Sequence, residues 1–114
     1  MQINFGKETR DVLIDHGYNI TDIYWIGNLE YCLDIMDFFD NADKCDYENG
    51  YGSLHIPIDI VIVMKDGSYF SRREYDGSEW WYYNKVSTKP KNVAKIKSFN
   101  INHAGWSSLE DFIN

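Results

Sequence analysis

Apolar positions change their period along this chain, and each change marks an element. Phe5, Thr9, Val12, Leu13 and His16 recur at helical spacing, and Gly17 stands where a helix is capped. This predicts a helix over residues 7–16 with its acids facing outward. Asp22 to Ile26 is β-rich, carries apolar groups on both faces and ends at Gly27-Asn28, which predicts a short strand. From Asp34, a candidate N-cap, Ile35, Phe38, Phe39 and Ala42 fall on one arc of a helix, with Asp37, Asp40, Asn41 and Lys44 on the opposite arc.

The turn formers from Asp46 to Ser53 predict a loop. The period then becomes two: Ile56, Ile58, Ile60, Ile62 and Met64 alternate with Pro57, Asp59, Val61 and Val63, predicting one strand with Pro57 near its start or at an edge. Turns at Asp66-Gly67 and Asp76-Gly77 fold Ser68–Tyr75 and Glu79–Asn84 onto it as an antiparallel meander. Lys89-Pro90-Lys91 interrupts the pattern, and Val93 to Phe99 reads as a fourth strand. Ser107 to Glu110 has capping-box spacing and predicts a terminal helix that brings Leu109, Phe112 and Ile113 onto the core. The expected fold class is α+β: an antiparallel sheet of three to five strands, the central meander among them, packed with two to three helices.

Composition narrows this to one body. With 114 residues, 44% hydrophobic and 17% aromatic, the chain has material for one core and too little for two, so residues 1–114 are expected to form a single compact domain. No apolar run reaches the ~20 residues that a helical membrane span needs. Nothing at the N-terminus resembles a signal peptide, and Cys32 and Cys45 have neither redox nor zinc spacing, so two reduced thiols in the cytoplasm are expected.

Charge is uneven. Residues 1–50 hold eleven carboxylates against Lys7, Arg10 and Lys44, a balance of −8, while residues 85–114 carry +3 within an overall −7. The acidic half repels phosphate backbones and anionic membranes, so direct nucleic-acid binding is disfavoured except through the short basic strip Lys85 to Lys97, and a basic protein partner fits better. Asp37, Asp40, Asp43, Asp46 and Glu48 have two readings: a solvated helix face, or a negative surface that imitates nucleic-acid phosphates, with Tyr47 and Tyr51 anchoring its rim.

Catalytic chemistry finds no foothold. His16, His55 and His103 are isolated in sequence and neither cysteine has a histidine nearby, so no catalytic residue is assigned and the chain is read as a non-enzyme. Placing Gly50 at the sixth position of a calcium loop puts Cys45, Tyr47 and Ile56 where oxygen ligands belong, so no metal site is expected. No phosphate-binding loop is present and no cofactor is expected. Trp80, Trp81 and Tyr82 form the other candidate surface. Alternate members of Trp80 to Tyr83 leave opposite sides of the strand, so one pair fills the core and the other needs cover, under the N-terminal helix or the terminal segment, or as an interface hot spot or a stacking platform for a nucleotide signal, with Arg72, Arg73 or the lysine strip Lys85 to Lys97 holding its charge.

The run Ile58 to Phe70 with Glu74 to Trp81, supported by Asp22 to Gly27 and Asp46 to Gly52, resembles small acidic accessory proteins of phages and prophages over residues 20–91. That class includes anti-CRISPR inhibitors. The resemblance implies a non-enzymatic anti-defence protein in the host cytoplasm, whose partner is a host defence protein, in particular a CRISPR effector nuclease of the Cas9 type.

Overall fold

A computed structural model of the chain describes residues 2–50, 55–86, 92–95 and 108–112. Its elements are β1 (Gln2–Asn4), α1 (Phe5–Asp15), β2 (Ile23–Gly27), β3 (Cys32–Leu33), α2 (Ile35–Asp43), β4 (Asp46–Glu48), β5 (Val61–Met64), β6 (Tyr69–Tyr75) and β7 (Ser78–Asn84). The fold is α+β. Five strands form an antiparallel sheet in the order β3-β2-β5-β6-β7, and β1 pairs with β4 as a separate two-stranded ribbon.

Both helices form where their end signals stand. The Asn4 side chain accepts the Lys7 N–H at 2.9 Å to open α1, and Gly17, at φ 81°, closes it by donating to the Ile14 carbonyl at 2.9 Å. The Asp34 carboxylate accepts the Asp37 N–H at 2.9 Å and opens α2. Phe5, Thr9 and Leu13 from α1 and Phe38, Phe39 and Ala42 from α2 are buried with Ile26, Ile62, Met64 and Phe70 of the sheet. The helices meet at Gly6, where an added Cβ would lie 3.0 Å from the Asp43 Cα, so any larger residue would push them apart.

The meander follows its turns. Asp76 and Gly77 both have positive φ, 51° and 86°, as a two-residue type I′ hairpin turn requires, and set β6 and β7 in register from Tyr69↔Asn84 to Tyr75↔Ser78. The strand expected from Ile56 begins only at Val61. Ile56, Ile60, Ile62 and Met64 are buried as the pattern indicates, but Ile58 is exposed. The backbone before Val61 has other partners: Pro57 has no N–H, and the N–H groups of His55 and Ile56 donate to the Glu79 carboxylate at 3.1 and 3.2 Å.

Other expectations need correction. Residues 92–95 have no regular structure, and the rest of the expected fourth strand lies outside the described residues. The terminal helix is a single 3-10 turn, Leu109–Phe112, and Leu109 is exposed instead of packed. Three short strands, β1, β3 and β4, arise where no strand was expected. Among the described residues no helix is long and apolar enough to cross a membrane.

Candidate interaction surface

The most concentrated polar chemistry is internal. Arg72 on β6, 4% exposed, donates from Nη2 to Glu79 Oε1 at 3.1 Å and to the Tyr47 hydroxyl at 3.3 Å, and from Nη1 to Glu8 Oε2 at 3.3 Å. Tyr47 donates to Glu8 Oε1 at 2.7 Å. The guanidinium carbon lies 4.9 Å from the Trp81 ring centroid and 5.4 Å from that of Phe5, which offsets part of its desolvation. Asn49 closes the cluster through the Glu79 backbone, its side chain accepting the Glu79 N–H at 2.8 Å and donating to the Glu79 carbonyl at 3.1 Å. Every group here holds another in place, and the cluster ties α1, β4 and the 55–56 segment to the β6–β7 hairpin.

This cluster removes three residues from the expected contact surfaces. Tyr47, 2% exposed, is no rim anchor; burial and the Glu8 carboxylate push its phenol above the ordinary range, so it stays neutral and donates. Trp81, 6% exposed, stacks on Phe5 at 5.8 Å and donates its indole N–H to Thr9 at 2.9 Å. Arg72 is engaged inside through both terminal nitrogens, while its buried Nε has no hydrogen-bond partner. Glu8, expected to face outward, turns inward for the same reason: a buried guanidinium needs a carboxylate within reach. The aromatic surface therefore reduces to Trp80 and Tyr82 on the outer sheet face, where Arg73 stacks over Tyr82 at 4.2 Å.

The acidic candidates divide by what they touch. Asp37 and Asp40 are exposed on the outer arc of α2, as expected. The Asp37 carboxylate accepts from the Asn41 amide at 3.2 Å, Asp40 feels the charge of Arg10 without a direct ion pair, and among the described residues neither acid forms a salt bridge. Asp43 is committed within the fold: the Arg10 guanidinium grips both its oxygens, Nη2 at 3.0 Å, and holds its carboxyl below the usual carboxylate range. Asp46 is exposed and accepts from Asn4 at 2.8 Å, and Glu48 is exposed beside it on β4. Tyr51 lies outside the described residues, as does His103. Among the described residues no three metal-ligating side chains converge.

A second exposed feature carries no sequence signal. Leu29 and Tyr31 between β2 and β3, Met36 at the start of α2 and Ile58 ahead of β5 are each more than half exposed, and Leu33 on β3 is exposed as well. Leu33 and Pro57 form a ridge between two hollows. One, about 220 Å³, lies against Asn28, Tyr31 and Asp59; the other, about 360 Å³, lies against Phe38, Asn41 and His55 and includes Asp37 in its wall. Periodicity could not show this, because the ridge joins residues 24 positions apart through the irregular segment that precedes β5. Comparison with protein-family models, with curated proteins and with solved structures finds no match, so the functional reading rests on these surfaces.

Proposed function

We propose that this chain is a non-enzymatic binding protein whose acidic α2 face occupies a basic, nucleic-acid-binding groove on a host defence nuclease, a CRISPR effector of the Cas9 type being the partner that the phage resemblance implies. The observation that carries the reading is the outer arc of α2: Asp37 and Asp40 are exposed side by side with no cation paired to them among the described residues. Between Arg10 and Lys65, Lys44 is the only lysine or arginine in the chain. A surface of net negative sign, with Arg10 taken up by Asp43, attracts the lysines and arginines that normally hold phosphates, and raises the association rate with such a groove. Asp46 and Glu48 extend the same sign onto β4, while Asp43 serves the fold.

Cleavage of target DNA by a guide-loaded Cas9-type nuclease, measured with increasing amounts of the protein, tests the reading. Dose-dependent inhibition is expected, and it should be lost in Asp37→Lys/Asp40→Lys with unchanged circular dichroism. Full cleavage at saturating protein rules out this partner.

A further inference from the structure

We infer that the contact centre of this interface is the Leu33–Pro57 ridge, and that its occupant is a basic segment of the partner that seats apolar side chains in the two hollows. This rests on the reading that α2 meets a partner. Asp37 joins the two features, because it belongs to the acidic arc and lines the larger hollow. Exposed Tyr31 and Leu33, which line the hollows, and exposed Met36 and Ile58, next in sequence to the lining residues Asp37 and Pro57, supply apolar area of the kind that carries binding energy at interface centres, while surrounding charges steer approach.

The sign of the rim selects the occupant. Asp59 lines the smaller hollow and Asp37 the larger, and no lysine or arginine lines either one. A second copy of the chain would bring the same carboxylates against these, and like charges facing each other across a two-fold interface oppose its formation. Strand addition is equally poorly served, since the strand at this edge, β3, is two residues long. An apolar anchor flanked by lysine or arginine satisfies both the hollows and their rim.

Titration of isotope-labelled protein with a synthetic amphipathic peptide of leucine and lysine, followed by NMR, tests this against the same peptide with glutamate in place of lysine. The lysine peptide should move the amide resonances of Tyr31, Leu33, Asp37 and Ile58, and Tyr31→Ser/Ile58→Ser, which alters exposed side chains, should bind it at least tenfold more weakly. No shift, shifts confined to Asp40, Asp46 and Glu48, or equal binding of the glutamate peptide would overturn the inference. If Asp37→Lys/Asp40→Lys loses binding while Tyr31→Ser/Ile58→Ser keeps it, the acidic face stands and the ridge falls; if both variants bind like wild type, both readings fall. A dimer in sedimentation that Ile58→Ser dissociates would assign the ridge to a second copy and also overturn it.

Discussion

Glu79 accepts from Arg72 and from two backbone amides while almost wholly buried, so its charge and its geometry are both in use. Glu79→Gln removes the charge and turns an amide toward other donors, leaving the buried guanidinium with Glu8 as its one carboxylate, and should cost about 3 kcal/mol in urea unfolding, the low end of what breaking a buried ion pair costs. Adding Arg72→Met should recover part of that loss; a single-variant cost below about 1 kcal/mol would reduce the cluster to the worth of a surface pair. Asp43, held by Arg10, and Asp66, which accepts from Tyr18 at 2.7 Å, both have lowered pKa values against an ordinary 3.8. Lowered carboxylates stabilise the fold above the ordinary value and lose that contribution as pH falls through the folded one. Melting temperature should therefore drop below about pH 4, and Arg10→Ala should flatten the drop. Tyr18 and Tyr47 are raised, each mainly by burial, so their contribution is present below the ordinary tyrosine value of 10.0 and fades as pH climbs above it. Cys45 is raised by burial and by the Asp46, Glu79 and Glu8 carboxylates, whereas Cys32 is exposed. Iodoacetamide should modify Cys32 well before Cys45 at neutral pH, as mass spectrometry would show. None of these pairings was legible in the sequence, because Glu8 and Arg72 stand 64 residues apart and spacing carries no sign of the meeting.

Elements whose signals are local were legible. The N-cap and apolar arc of α2 lie within nine residues of one another, and the β6–β7 hairpin is specified by the conformation of Asp76-Gly77. Phe38→Ala should cost roughly 3–5 kcal/mol, since Phe38 is buried edge-on to Phe5 at 5.7 Å and to Phe39 at 5.1 Å. Asp34→Ala should cost about 1 kcal/mol by removing the cap; an unchanged midpoint for both variants in chemical denaturation would contradict the placement of α2. The strands that were missed are short and non-local. Pairing of Ile3 with Tyr47 makes β1 and β4 strands, and nothing in three residues taken alone announces that. The isoleucine alternation failed in the opposite direction: its burial pattern holds at Ile56 and Ile60, but Glu79 takes the backbone donors that a strand would have used.

Over the whole molecule, charge was readable and its deployment was not. The balance of the first fifty residues indicated an acidic surface, but only the packing separates Asp43, which clasps α1 to α2, from Asp37 and Asp40, which face solvent. The same packing takes Tyr47 and Trp81 out of contact range and leaves the Leu33–Pro57 ridge open beside the acids. On the proposed reading, acidic arc and apolar ridge together make the α2–β3 edge the part of the molecule that meets a basic surface. The most direct test is the affinity of the protein for a Cas9-type nuclease across a salt series, for wild type and for Asp37→Lys/Asp40→Lys, with circular dichroism on both. Wild-type affinity should fall as salt screens the pairing over a Debye length of about 8 Å at physiological ionic strength, and the folded variant should lose binding. Equal affinity and equal salt dependence in the two proteins would show that these acids only face solvent.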